Sequence, residues 1–301
     1  MHSATTLPAS APAIPVRDQF APIKVVFLVG IHLGAVTAVW HSTWAAVGVC
    51  LLMHAACGGV GICVGYHRLL THRSFKCPRA VEYGLALLAS LSMEGGPIEW
   101  VAHHRQHHQY PDQDGDPHNA RQGFWWSHVL WMFWTPSKQS QREVIRRYAP
   151  DLLRIPFYRF LSRAYVALSV LTGALLYILG GWTFVVWGMF VRLVITYHTT
   201  WLVNSASHSF GYKNFPIDDL STNCWWVALL SGGEGWHNNH HAFPTSARHG
   251  LKPWEIDVAY AFIRSLQALG LAWDVQAPPV ARVSLATSRA GKRQSMQRNK
   301  A

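Results

Sequence analysis

From Val25 to His67 the chain runs 43 residues without an Asp, Glu, Lys or Arg. That is enough for two helices of roughly 20 residues, each able to cross a bilayer. The only polar break is HSTW at 41–44, which predicts a tight hairpin between spans at about 24–41 and 44–65. A second run, Ala164 to Tyr212, carries Arg192 as its only charge, and Gly180 and Gly181 interrupt it. It predicts a second hairpin, with spans at about 164–180 and 182–204. The expected architecture is therefore an all-α integral membrane protein of four transmembrane helices. Composition agrees: 14% of residues are charged, against about 25% in soluble domains, and there are 15 Trp.

Between the hairpins, residues 66–163 hold 13 Lys and Arg against 8 Asp and Glu, and residues 204–301 hold 10 against 6. The excess of cations places both segments, and both chain ends, in the cytoplasm. The formal charge of +11 suits an anionic lipid surface or an acidic ligand, and no nucleic-acid partner is expected. AVEYGLALLASLSM (80–93) and the Trp-rich GFWWSHVLWMFW (123–134) are expected as helices lying on the cytoplasmic face, forming a helical cap. One domain over 23–278 is expected between a disordered arm, 1–22, and a basic disordered tail, 279–301. The arm lacks the ordered parts of a secretory signal. Cys50, Cys57, Cys63, Cys77 and Cys224 contain no CxxC pair and read as small apolar residues.

The chemistry lies in the histidines. Of 18, nine fall in four short groups. HRLLTH carries His67 and His72. HRQHH carries His104, His107 and His108. NSASH carries Asn204 and His208, and HNNHH carries His237, His240 and His241. Offsets of three and four residues share a helix face, so two of these groups each present three imidazoles in one direction. The first group and the Asn204–His208 pair fall at the cytoplasmic ends of predicted spans and the other two follow in cytoplasmic segments, so all four can meet at one membrane-proximal level. Nine imidazoles exceed the coordination of one metal, so a dinuclear site is expected. Zinc would be satisfied by four ligands, whereas oxygen-handling histidine sites usually hold iron or copper. His2, His32, His41, His54, His198 and His249 stand singly and read as structural, and His103 is left outside the ligand set.

These residues resemble the membrane-bound acyl desaturases of the stearoyl-CoA desaturase class. The likeness extends through GGPIEWVAHHRQHHQ, DGDPHN, GFWWSHVLW, TWLVNSASHSFG and GEGWHNNHHAFP, over about residues 60–260. It implies two irons held by nine histidines, with Asn204 acting through a water. One iron would take His67, His108, His208 and His241 with Asn204, and the other His72, His104, His107, His237 and His240. It also implies that O2 and two electrons remove two hydrogens from an unactivated acyl chain, giving a double bond expected at Δ9. A departure is His103, where the family often has Asp. No haem-binding HPGG occurs, so a separate electron donor of ferredoxin, rubredoxin or cytochrome b5 type, with its reductase, is expected.

A saturated methylene yields to no acid, base or nucleophile, so the protein's share of the work is placement and shielding. Trp100, Thr200, Trp201 and Trp236 are candidate walls of an acyl tunnel. Asp112, Asp114, Asp116 and Glu234 are candidates to orient the imidazoles. Arg68, Arg73, Lys76, Arg105 and Arg121 are candidates for a substrate head group. Arg192, mid-span, needs an acceptor inside the bundle. Two other readings stay open: a diiron hydroxylase or ketolase of a carotenoid or sterol, and a histidine-rich metal transporter. No HExxH occurs, which argues against a membrane metalloprotease.

Overall fold

The structure, a computed structural model, describes residues 19–279. The expected arm and tail therefore fall almost wholly outside the described residues. Where the arm overlaps them, Gln19–Phe20 (β1) pair antiparallel with Trp134–Thr135 (β2), and Pro22 opens the first helix.

Three apolar helical stretches are long enough to cross a membrane: Pro22–Val39, Trp44–Thr71 and Pro156–His208. The first is α1 (Pro22–Val36) plus a 3₁₀ turn, with Pro at its first position where the missing N–H costs nothing. Thr43 then caps α2 (Trp44–His54), its Oγ1 accepting the Ala46 N–H at 3.2 Å. The third stretch is 53 residues long, about 80 Å if straight, more than twice a bilayer core. It consists of α8 (Pro156–Val185), a π-helical turn (Val186–Val191) and α9 (Arg192–Ser205). α8 leaves helical geometry at Gly180 and Gly181, the latter with φ 62°, a backbone glycine adopts without strain. Ile23, Val26, Leu33 and Ile178 are all more than 60% exposed, as lipid-facing side chains would be.

Two span limits differ from the sequence-based expectation. α2 does not stop near 65 but continues as a π-helix over Ala55–Thr71, because Arg68 is buried in ion pairs and does not end it. α8 starts at Pro156, before Arg159 and Arg163, whose charges had placed the expected boundary at 164. The π-helix also explains the five-residue interval of HRLLTH. Its i→i+5 bonding, seen as His72 N–H donating to His67 O at 3.2 Å, brings residues five apart onto one face.

The remaining helices gather at the ends of the long ones. They are α3 (Arg79–Ser90), α4 (Pro97–Gln109), α5 (Phe124–His128), α6 (Lys138–Tyr148), α7 (Pro150–Leu153), α10 (Trp225–Leu230), α11 (His237–Ala242) and α12 (Val258–Ala268). The expected helix over 80–93 corresponds to α3. That over 123–134 is broken after α5, where Val129 leaves helical geometry at φ −141°. The main core joins the π-helix to α3, α4, α6, α8 and α12 through Ile62, Tyr66, Val101, Val144, Leu161 and Ile263. Gly61 makes the α3 contact possible, since a Cβ there would lie 2.5 Å from Ala89 N. All five cysteines are free, and four are fully buried.

Candidate metal centre

The four histidine groups converge, in two sets. His67, His72, His104, His108 and His240 form one, and His107, His208, His237 and His241 the other; within each, one nitrogen per ring lies within 4.8 Å of all the others. This division differs from the one the family resemblance implied: His67 and His108 join the first set, and His107 and His237 the second. Helix geometry is the reason. His104 and His108, four apart on α4, share a face, and so do His237 and His241 on α11. His107 and His240 each stand about 100° round the helix from the next residue and so reach the other set. Asn204 borders the same cavity as His67, His104 and His237, whereas His103 lines that cavity outside both sets.

Four carboxylates fix which ring nitrogen faces inward. His107 Nδ1 bonds Asp116 Oδ2 at 2.9 Å, His208 Nδ1 bonds Asp112 Oδ2 at 3.1 Å, and His241 Nδ1 bonds Asp219 Oδ2 at 2.8 Å. Glu234 Oε2 lies 2.6 Å from His67 Nδ1. An Nδ1–H given to a carboxylate leaves Nε2 as a lone pair, the arrangement that ligating histidines show. Asp112 adopts φ 56°, which lets its carboxylate also accept the Leu220 N–H at 2.7 Å. Its carboxyl is held down at about 2, because hydrogen bonding and charge from His208 outweigh the opposing effect of burial. Burial, reinforced by neighbouring rings, pushes His104, His108, His237, His240 and His241 well below the usual imidazole range, so they are neutral at pH 7.

The pattern fits a bound cation. His107 Nε2 and His241 Nε2 are 3.3 Å apart while both Nδ1 atoms meet carboxylates, the spacing two ligands of one cation would take. His208 Nε2 and His72 Nε2 are buried without a hydrogen-bond partner. Such groups are costly unless something positive lies between them.

Of the orienting candidates, Asp112, Asp116 and Glu234 take that position, and Asp114 is exposed away from it. Asp219 fills the fourth; nothing in the spacing of PIDDL points to it, because its contact with His241 spans a loop. Arg68 is not a surface cation. It is fully buried, bonding Glu234 at 3.0 Å and Asp257 at 2.9 Å. Arg73 and Arg105 both pair with Asp151, Lys76 pairs with Asp274, and Arg121 Nε donates to Asp112 O. Trp236 lies outside the cavity lining, packed in the core with its Nε1–H given to Ile256 O at 2.7 Å. Arg192 finds backbone acceptors instead of a carboxylate: Gly188 O at 3.0 Å and Leu91 O at 2.8 Å. Of the single histidines, His32, His54, His198 and His249 are hydrogen-bonded too. His32, His198 and His128 form a chain at 3.1 and 3.0 Å that ties α1, α9 and α5 together.

A cavity of about 1050 Å³ reaches from His67, His104 and His237 into the bundle, with Trp100, Thr200 and Trp201 on its wall. Trp100 stacks on His104, ring centres 5.0 Å apart. Glu94 clamps the wall across the cavity, accepting from Thr200 Oγ1 at 2.8 Å and Trp100 Nε1 at 3.1 Å. Burial raises its carboxyl to about 7 against those hydrogen bonds. A carboxyl raised on folding lowers stability as pH climbs from the unfolded value, about 4.5, towards 7. Glu94→Gln, whose amide can keep both partners, is therefore expected to be more stable than the parent at pH 8. The difference should be at most about 3 kcal/mol, since the group borders the cavity, and should vanish near pH 4.5. Melting curves across that range check it; a gap independent of pH would refute the assignment.

The fatty acid desaturase family model matches residues 42–264. The chain is 49% identical to the sn-1 stearoyl-lipid 9-desaturase of Anabaena variabilis, over 88% of this chain and 97% of that one. It is 47% identical to the sn-2 palmitoyl-lipid 9-desaturase of Nostoc sp. (strain 36), over 90% and 95%. It is 46% identical to an acyl-CoA 5-desaturase of Anemone leveillei, over 88% and 86%. With likeness over most of its length and histidines gathered beside an apolar cavity, the chain belongs to the fatty acid desaturase family and is a membrane oxidoreductase of fatty acyl chains.

Proposed function

We propose that the two histidine sets hold two iron ions and that the enzyme uses O2 and two electrons to place a cis double bond at Δ9 of an acyl chain. The observation that carries this reading is the pair of inward-facing imidazole sets, braced by Asp112, Asp116, Asp219 and Glu234, at the end of a long apolar cavity. His67, His72, His104, His108 and His240 would hold one iron. His107, His208, His237 and His241 would hold the other, with Asn204 completing it through a water. When bound, the irons supply the oxygen-activating redox chemistry that a saturated methylene requires. The chain's own residues orient and shield. Trp100, Thr200 and Trp201 hold the substrate extended beside the ligands, and the carboxylates keep the imidazoles of His67, His107, His208 and His241 aimed.

The Δ9 position is supported by the Anabaena and Nostoc relatives, both named 9-desaturases. The break at Gly180–Gly181 supports four crossings within one domain over 23–278. The cationic excess of the segments around the histidines supports a cytoplasmic centre and cytoplasmic termini. Electrons would come from a separate carrier of ferredoxin, rubredoxin or cytochrome b5 type and its reductase.

Expression in a host unable to make unsaturated fatty acids, followed by mass spectrometry of its lipids, tests the reading. A loss of two hydrogens between carbons 9 and 10, and about two irons per purified chain, are expected. A gain of oxygen would move the enzyme to the hydroxylases. A single zinc with activity intact would remove the diiron assignment.

A further inference from the structure

Resting on the desaturase reading, we infer that Arg192 and Tyr197 are positioning residues: from α9 they hold the loop of residues 91–96, and through it they set which carbon of the acyl chain stands beside the metal ligands. The loop joins α3 to α4, and Met93, Glu94, Gly95 and Gly96 all line the cavity. Three side chains of α9 donate into it, in the same order along both segments. Arg192 Nη1 reaches Leu91 O at 2.8 Å, Tyr197 Oη reaches Met93 O at 2.9 Å, and Thr200 Oγ1 reaches Glu94 Oε1 at 2.8 Å. The far end of the loop is fixed on α8. A Cβ on Gly96 would lie 2.3 Å from Ser162 Cα, and Ile98 N–H donates to Ser162 Oγ at 3.2 Å. Met93 adopts φ 58°, a left-handed backbone that residues other than glycine keep only where their surroundings impose it. The bonds to Leu91, Met93 and Glu94 impose it here.

Arg192 is the costly member of this series. It is fully buried inside the third apolar stretch, where a cation is disfavoured and marks a function. It lies outside the cavity lining, so it acts through other residues. Its Nε donates to Gly188 O at 3.0 Å, in the π-helical turn before α9. Leu91, its second acceptor, is one residue past the end of α3, where helix carbonyls left without partners carry partial negative charge. The guanidinium therefore ties the end of α3 to α9. Glu94 then carries that placement across the cavity: it joins Thr200 to Trp100, which stacks on the ligand His104. Neighbouring methylenes of a saturated chain are chemically alike, so only their position against such a wall distinguishes them. A loop that slides along α9 moves the wall relative to His104.

Arg192→Met removes both donors and strands no anion, because both acceptors are carbonyls. Tyr197→Phe removes one hydroxyl and keeps the ring stacked on Trp201, centres 5.3 Å apart. In the host unable to make unsaturated fatty acids, mass spectrometry would locate the double bond in the lipids of each strain, and purified chains would be analysed for iron. Both variants are expected to move part of the double bonds to neighbouring carbons, with iron per chain unchanged. Turnover of Arg192→Met should fall at least about tenfold, since small misplacements of a reacting group are costly. Arg192→Lys, which keeps a cationic donor, should bring the double bond back to the parental carbon. A slower rate with the double bond unmoved in both variants would overturn the inference, because a generally loosened fold slows turnover without changing the register. So would parental rate and position in both. If Arg192→Met does not accumulate in the membrane, Tyr197→Phe decides by the same readout. Failure of the desaturase reading looks different: the parent itself forms no double bond.

Discussion

His107→Ala is expected to lower turnover by about 10³-fold or more, the scale set by losing several kcal/mol of metal-assisted stabilisation. It should also take iron from about two per chain to about one. The ring is fully buried, gives Nδ1 to Asp116 and faces His241 at 3.3 Å. Alanine therefore removes one of only four imidazoles in that set and strands the Asp116 charge. Asp116→Asn keeps the ring but loses the charge that fixes its tautomer, and should cost about 10–100-fold, as outer partners of metal ligands do. Metal analysis and product formation on the same purified samples separate the two. Full iron and full activity in His107→Ala would remove it from the ligand set, and equal losses in both variants would mean that orientation is its whole role.

Arg68→Met is expected to produce the largest loss of stability available from one substitution, about 3–5 kcal/mol, because one partner of a buried ionic network is removed and its anions stay behind. The guanidinium is 0% exposed and donates to Glu234, Asp257 and the Ala247 carbonyl. Glu234 also lies against His67 Nδ1, so the network braces the histidine sets as well. The double variant Arg68→Met, Glu234→Gln should recover part of the loss, since one stranded anion is then gone. Denaturation in detergent, followed by tryptophan fluorescence, reads both. A loss below about 1 kcal/mol would place Arg68 among solvated surface cations.

The sequence was read well where one physical rule acts alone. Uncharged runs located the long helices, because lipid tolerates few charges, and clustered histidines at helical spacing marked residues that the fold gathers into two sets. It was read poorly where a charge is neutralised from afar. Arg68 looked like a cytoplasmic cation because Glu234 and Asp257, its partners, stand 166 and 189 residues away. Arg159 and Arg163 cut the expected third span short, although α8 starts at Pro156 and carries both within its first turns. Trp236 stands beside His237 in sequence yet packs in the core against Ile256 O, since it precedes α11 with non-helical backbone, ψ 52°. The division of the nine histidines was not legible in the spacing, which puts offsets of three and four on one face, because His107 and His240 join sets completed by other segments.

Which residue types meet, and in which solvent, was therefore set by the chain's own pattern: apolar runs for the bilayer, imidazoles at intervals of three, four and five for a metal. What only the folded molecule decided is how those groups are partnered. The reach of Asp219 to His241 and the burial of Arg68 between Glu234 and Asp257 each depend on elements distant in sequence. Contact between distant segments is a property of packing, and packing leaves no local period to read.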